Sequence, residues 1–523
     1  MMFMKKLNIE DKLFILILSI WFIILLFVIF LQGHGVDEST HSFVGLFLRD
    51  FIVDWSKHPT FSFSKIYNYA VNYMVFYPKI SLHYPPVPQI FFATAYLFFY
   101  PSIIVSRGIV LLFSMGFIAL IYLFVKDFFK NKKIALISAA IFLTSPIVVL
   151  HSTQALQEIP FIFFFTLTVF LFLKALKHEK NNKYYALAAI STVFCILSKW
   201  QAITIVPVIL SYVILQERKK LKLVLLYLCL AGIILTPYYV ILYKTNLLLL
   251  PLEANIPGPG SPKWYEIQGW LYYLRVLIFD QFFLPVGLVL LFSSFVYIKD
   301  KRLGWKLFLI WIVIIYVAMV FIENKNPKYT INMLPAVVIP SSYIIYNYLK
   351  KAGRKVLFVL LSGLLILQFL FALSSIPKGY SEVEEISKYV VVNSKGNILV
   401  NSALGTSSPF IFEIAKIDSF NHQILHPCLV NEANESFGEL IERFNIEYII
   451  TERNYNLLSD RQREFLNYLD NSEEFVKEKE YSEFVVFRKS NFVLKGQEKI
   501  CNYICATHEL ICSTFKKPSD SLK

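Results

Sequence analysis

Two adjacent carboxylates, Asp37 and Glu38, follow the first long apolar run almost at once. At the edge of a hydrocarbon layer such groups are cheap when solvated and costly when buried. They read either as a solvated helix end or as a general base or metal ligand at a water–lipid boundary. Glu158-Ile159-Pro160 opens another apolar run. The helix dipole and a first-turn proline would also favour that arrangement without any chemistry. Lys199, in Ser198-Lys199-Trp200, is the only charge between Lys183 and Glu217. It reads as a site residue or as a snorkelling side chain. Lys325, Lys328 and Tyr329 mark another turn, and His83-Tyr84-Pro85-Pro86 closes a long polar segment. Carboxylates, lysines and aromatics of this kind suit acid/base work on a polar acceptor beside an anionic lipid head group.

The elements that must position these residues are apolar. Of 523 residues 56% are hydrophobic and only 17% charged, and the mean hydropathy is +0.55. That excludes a disordered chain, a collagen-like chain and an ordinary soluble enzyme. The net charge of +14 comes from 51 Lys+Arg against 37 Asp+Glu. The basic residues cluster in short loops between apolar runs, which is a topology signal; nucleic-acid binding is disfavoured.

Residues 13–31 are long enough to cross a membrane, and Lys5, Lys6 and Lys12 place the N-terminus on the cytoplasmic side. A cleaved signal peptide is the rival reading, disfavoured by the length of the apolar run. Further candidate spans are 103–125, 134–150, 159–176, 184–198, 201–216, 221–243, 282–299, 305–322, 330–349 and 355–375. Basic loops alternate with less basic ones, which predicts about eleven crossings, or up to thirteen if 86–100 contributes. The C-terminal part is then extracytoplasmic and the protein sits in the cell membrane. The expected division is a transmembrane domain over 1–375, an extracytoplasmic domain over 376–490 and a cysteine-containing tail over 491–523. The first external loop, 32–85, holds amphipathic stretches at 42–52 and 61–77. The second, 244–280, carries Pro257-Gly258-Pro259-Gly260-Ser261-Pro262 and reads as a mobile linker or a gating loop.

After residue 376 a helix over 382–392, strands at 397–401, 448–451 and 484–488, and helices at 438–444 and 461–469 predict a small α/β domain. Asn434-Glu435-Ser436 is a weak glycosylation sequon there. Cys195 and Cys229 read as core residues and Cys428 stands alone. Cys501, Cys505 and Cys512 with His508 could hold zinc, pair as a disulfide or be bland.

In this order the motifs resemble those of membrane glycosyltransferases of the C fold class (GT-C). The resemblance is to the group of dolichyl-phosphate-mannose protein mannosyltransferases and lipid A aminoarabinose transferases, family 39-like. Asp37-Glu38 resembles the family's acidic loop motif, and His83-Tyr84-Pro85-Pro86 its His/Lys-Pro-Pro segment. Ser106-Arg107 resembles an Arg-bearing helix start. Gln154-Ala155-Leu156-Gln157-Glu158-Ile159-Pro160 resembles "A-L-x-D-x-P" with Glu for Asp. Leu197-Ser198-Lys199 resembles "L-T-K", and Lys328-Tyr329 with Pro335 resembles "R-Y-x-x-x-x-x-P" with Lys for Arg. The resemblance covers residues 10–350.

It implies a polytopic α-helical membrane enzyme with a C-terminal extracytoplasmic α/β domain. The enzyme would move a sugar from a polyprenyl-phosphate (dolichyl- or undecaprenyl-phosphate) to a protein, lipid or glycan acceptor, by single displacement with inversion. It casts Asp37 as the base, with Glu38 beside it. Lys199 and Lys328, helped by His83, would hold the lipid phosphate, with Tyr84 and Tyr329 lining the site and Glu158 orienting. No cofactor is certain; an acidic pair could bind one divalent cation. No Walker loop, GxGxxG or HExxH is present, which disfavours nucleotide-driven enzymes and zinc proteases. A lipid-linked sugar flippase or transporter and a polysaccharide polymerase are the rivals.

Overall fold

The structure is a computed structural model. It describes all residues except 1–7, 79–83, 179–181, 245–260, 352–354, 404–405, 433–435, 494–498, 505–508, 515–517 and 522–523. Two compact units divide the chain. One comprises Met1–Phe30, Leu82–Pro88 and Arg107–Pro377; the other comprises Leu31–Ser81, Gln89–Ser106 and Lys378–Lys523. Residues 31–81 and 89–106 therefore group with the C-terminal part, not with the helices that flank them in sequence.

The first unit is helical. Every stretch read as a span contains helix, from Ile9–Leu31 to Lys355–Ser374. Among the described residues five helices are singly long and apolar enough to cross a membrane, and up to seven if each of two bent pairs counts as one span. Both breaks have sequence causes. Asn131 caps Lys132–Thr144 by accepting from the backbone N–H of Lys133 at 2.9 Å and of Ile134 at 3.4 Å. That helix stops at Ser145, and Pro146, which lacks an N–H, starts Pro146–Ser152 at 65° to it. Likewise Ile267–Phe279 and Leu284–Lys299 meet at 113°, with Pro285 in the first turn of the second.

Helix Ile267–Phe279 corrects the expectation of a loop over 244–280. Gly269 sits tight against the Lys263 carbonyl at its start, and buried Tyr273, Val276 and Leu277 form a short inward stripe. The Pro-Gly run at 257–260 lies outside the described residues.

Backbone released at the breaks is repaired by side chains, as a water-free layer demands. Ser145 Oγ donates to the Gln281 carbonyl at 2.8 Å. Gln368 accepts from the Phe283 N–H at 3.0 Å and donates to Thr144 Oγ1 at 3.0 Å. Gln281 Nε2 donates to Thr330 Oγ1 at 2.6 Å and to the Pro327 carbonyl at 3.1 Å. The two bends, the helix Lys355–Ser374 and the turn that carries Lys328 are thus one polar assembly.

In the second unit a five-stranded sheet has the order β2-β1-β3-β5-β4, with β1 Asn397–Asn401, β2 Ile424–Leu425, β3 Ile446–Glu452, β4 Phe475–Glu480 and β5 Phe484–Lys489. β1 pairs in parallel with β2 and β3, while β5 is antiparallel to β3 and β4. Leu399, Ile449, Phe465, Leu466 and Phe487 lie in its buried core. Helices Val383–Asn393, Phe437–Arg443 and Asp460–Asn471 stand where the sequence places them. Ser436 and Ser459 cap the latter two through their hydroxyls, completed by Glu439 and Gln462 in the first turn. In the tail, β6 Lys499–Ile504 and β7 Glu509–Thr514 form a hairpin that opposes Cys501 to Cys512. Cys428, expected to stand alone, is disulfide-bonded. Cys505 and His508 lie outside the described residues, so the zinc alternative does too.

Where the chain enters and re-enters this unit, two strands cross. The Gly33 N–H donates to the Lys378 carbonyl at 2.6 Å, and His34 and Tyr380 exchange both backbone hydrogen bonds at 2.9 Å. A Cβ on Gly33 would stand 2.6 Å from the Tyr380 carbonyl carbon, and Gly379, at φ +69°, would meet Gly33 as closely. Glycine at both positions lets the backbones touch.

His422 bridges this unit internally. Its Nδ1 bonds the Asp418 carboxylate and its Nε2 faces the Ser394 carbonyl at 3.0 Å, so both nitrogens meet acceptors. Burial opposes the charge, but Asp418, the Ser394 carbonyl and Glu447 outweigh it and raise the pKa of the ring. A raised folded-state value stabilises fully below the unfolded value of about 6.5 and is lost as pH climbs through the folded value. The melting-temperature deficit of His422→Gln relative to wild type should therefore be largest near pH ~6 and shrink toward pH ~9. A deficit that does not change with pH would remove the charge from this account.

Candidate active site

Glu158 is the first residue of helix Glu158–Lys177 and is 3% exposed. The helix dipole favours a carboxylate there, but its partners are cations from two other turns. Lys199 precedes the 3-10 turn Trp200–Thr204 and donates to Glu158 Oε1 at 2.7 Å. Lys328 lies in the 3-10 turn Pro327–Met333 with its Nζ 3.9 Å from the same oxygen. The Lys199 ammonium also sits 5.5 Å from the centre of the Tyr329 ring and 6.0 Å from that of Phe161. Two lysines facing one carboxylate leave the cluster with one excess positive charge.

Local sequence explains the placement. Asn326 caps the second turn by accepting from the Lys328 N–H at 3.1 Å. Asn332 closes that turn onto two neighbours: its carbonyl accepts from Trp311 Nε1 at 2.8 Å, and its Nδ2 donates to Thr204 Oγ1 at 3.4 Å. The turns carrying Lys199 and Lys328 are therefore tied directly to each other. The segment 84–87 is tied to the same region. Gln157 donates to the Pro85 carbonyl at 3.1 Å, and the Val87 N–H donates to the Leu197 carbonyl at 2.9 Å. Tyr84 is exposed on that segment, and His83 lies outside the described residues. Lys325 is occupied differently: its Nζ bonds the Met319 and Val320 carbonyls and so caps the helix Trp305–Val320.

Asp37 and Glu38 belong to the other unit, in the first turn of helix Val36–Lys57. The Glu38 carboxylate is 4% exposed and accepts the Gly35 N–H at 2.8 Å, closing the helix start. Asp37 is exposed on the same turn. Thr40 Oγ1 one turn on donates to Ser408 Oγ at 3.0 Å, which holds this helix against Ser407–Asp418 of the C-terminal segment. Gln89 bonds His41 at 2.9 Å within the same unit.

The structure thus brings Glu158, Lys199, Lys328 and Tyr329 together, with Tyr84 on a segment fastened nearby, and sets Asp37 beside Glu38 on one helix turn. Sequence reasoning missed His151, which is buried within range of the charges of Glu158, Lys328 and Lys199. The available signal was its position seven residues before Glu158 at the end of an apolar run. Among the described residues, no group of three or more His, Cys, Asp or Glu side chains could hold a metal ion.

Residues 83–243 match the family model of dolichyl-phosphate-mannose-protein mannosyltransferases. A protein of unassigned function from Aquifex aeolicus (strain VF5) is 25% identical over 288 residues, which is 53% of this chain and 56% of that relative. The chain thus spans just over half the length of this relative. ArnT from Cupriavidus metallidurans has the same architecture, with a TM-score of 0.64 in the apo state over 91% of this chain and 98% of that one, at 12% identity. The same protein bound to undecaprenyl phosphate gives 0.60 at 12% identity, over 91% of this chain and 97% of that one. The Archaeoglobus fulgidus oligosaccharyltransferase AglB, solved with an inhibitory peptide and a dolichol-phosphate, gives 0.51 at 14% identity, over 83% of this chain and 69% of that one. At these identities the likeness is one of fold.

Proposed function

We propose that this chain, an integral membrane protein with the GT-C glycosyltransferase fold, transfers a sugar from a polyprenyl-phosphate carrier to an acceptor hydroxyl or amine on the extracytoplasmic face. The observation that carries the reading is the cluster of buried Lys199 and half-buried Lys328 about one carboxylate oxygen of the buried Glu158. An excess positive charge in a low-dielectric site is suited to an anionic group that gains charge as the reaction proceeds. Three things support the carrier's chemistry: the family match over residues 83–243, and the polyprenyl phosphates named with the ArnT and AglB structures.

The step is a single displacement. Asp37 takes the acceptor proton as the acceptor atom attacks the anomeric carbon from the face opposite the phosphate. The bond from that carbon to the phosphate oxygen breaks, its electron pair goes to the oxygen, and configuration inverts. The phosphate passes from one negative charge to two, which the lysine ammonium groups balance. Glu158 fixes Lys199, Tyr329 packs against it, and Glu38 holds the helix turn that carries Asp37. No nucleotide and no metal is assigned a step. The disulfide at Cys428 supports an oxidising compartment for the C-terminal part.

Lys328 offers a clean test, because its removal leaves the 2.7 Å pair of Lys199 and Glu158 intact. Lys328→Ala should raise the donor KM about 10-fold or more, the worth of one charge-assisted contact, with the melting temperature unchanged. Unchanged donor kinetics would remove Lys328 from the phosphate site.

A further inference from the structure

His151 lies in the last turn of Pro146–Ser152 and is 5% exposed. Neither ring nitrogen has a hydrogen-bond partner among the described residues; Gln154 lies beside it without completing a bond of good geometry. The charged groups within its reach are Glu158, Lys328 and Lys199, the cluster already described. A neutral imidazole carries one donor and one acceptor, and buried polar groups are rarely left with both unused. Residues 153–157, between His151 and Glu158, are not helical. Irregular backbone at membrane depth is tolerated where it is packed in protein or lines a cavity. An imidazole without a hydrogen-bond partner among the described residues, the buried Lys199 ammonium, the half-buried Lys328 ammonium and one buried carboxylate therefore lie next to a break in the helical backbone.

We propose that His151 is a substrate-contacting residue, whose ring N–H donates a hydrogen bond to a phosphate oxygen of the polyprenyl-phosphate donor beside Lys199 and Lys328. The assignment rests on the function proposed above. No proton is transferred: the imidazole N–H stays on nitrogen while the breaking carbon–oxygen bond delivers its electron pair to the phosphate. The hydrogen bond strengthens as that charge grows, so its loss falls on kcat as well as on donor affinity.

The test uses the full-length protein in detergent or liposomes, with two readouts: binding of sugar-free polyprenyl phosphate, and transfer from a polyprenyl-phosphate sugar. His151→Leu should lower kcat/KM about 10- to 100-fold and weaken polyprenyl-phosphate binding several-fold, without lowering the melting temperature. His151→Gln, which keeps an N–H donor, should recover part of both. Should the leucine variant fail to fold, His151→Phe replaces it. A wild type that transfers sugar alongside an apolar variant within twofold of it overturns the assignment. So does equal loss in the apolar and glutamine variants. A wild type that neither binds the phosphate nor transfers sugar overturns the functional reading itself, and the assignment with it.

Discussion

Asp37→Asn should abolish turnover, by about 10²- to 10⁴-fold in kcat, while polyprenyl-phosphate binding persists. An amide keeps the shape and one acceptor oxygen but cannot take the acceptor's proton. The neighbouring carboxylate behaves differently, because Glu38 spends an oxygen on the Gly35 N–H. Glu38→Gln retains that acceptor, so it should lose far less activity. The pair separates a proton-accepting role from a helix-closing one on adjacent residues. Comparable losses in both variants would mean that the turn as a whole, and not Asp37 as base, is what the chemistry needs.

Glu158→Gln should cost about 3–5 kcal/mol of stability, because breaking a buried ion pair leaves an uncompensated charge. Here the orphan is Lys199, 7% exposed, with Lys328 adding a second positive charge nearby. Pairing the change with Lys199→Met should restore a large part of the stability, since an apolar chain of similar length needs no counter-charge. Activity should not return, because the lysine is lost to the phosphate. Thermal unfolding in detergent gives the first comparison and donor kinetics the second. A double variant no more stable than Glu158→Gln alone would show that the two residues do not act as a pair. Recovery of activity in that double variant would take Lys199 out of the site.

Much of this was legible because the chain states it in the currency of hydrophobicity. Apolar runs bounded by lysines at 126–133, 217–222 and 350–355 can only be helices in a water-free layer, and helices are found there. The strands Asn397–Asn401 and Phe484–Lys489 are short, β-branched or aromatic, and flanked by turns, so they too stand out. Other elements were hidden for physical reasons. Phe475–Glu480 reads Phe-Val-Lys-Glu-Lys-Glu, a charged edge strand whose alternation is masked because only Phe475 is fully buried. Helix Ser407–Asp418 is buried along most of its length and so shows little amphipathic period. The grouping of 31–81 with the C-terminal segment depends on contacts hundreds of residues apart, such as Thr40 to Ser408 and Tyr77 to Asp418. No local pattern encodes such contacts.

The site shows the same division. Lys199 was conspicuous because a lone charge in an apolar stretch has few bland uses, and its partner Glu158 because a carboxylate opening a span is equally exposed to question. That they meet at 2.7 Å follows from the packing of the helices Glu158–Lys177 and Asn182–Ile196, not from spacing. Lys325 had the same surface signal as Lys328, yet only its distance to the Met319 and Val320 carbonyls tells a helix cap from a site residue. His151 carried no signal beyond its type, since a histidine in an apolar run is usually satisfied. Its unused nitrogens become visible only once its neighbours are in place.

The most direct test is transfer from radiolabelled polyprenyl-phosphate sugars by the purified full-length protein in liposomes, with Asp37→Asn as control and protein, lipid and glycan acceptors offered in turn. Label should move to an acceptor with the wild type, with inverted anomeric configuration, and should stay on the lipid with the variant. Absence of transfer across the whole panel, with labelled lipid instead crossing the bilayer in the same liposomes, would contradict a transferase and identify a translocator.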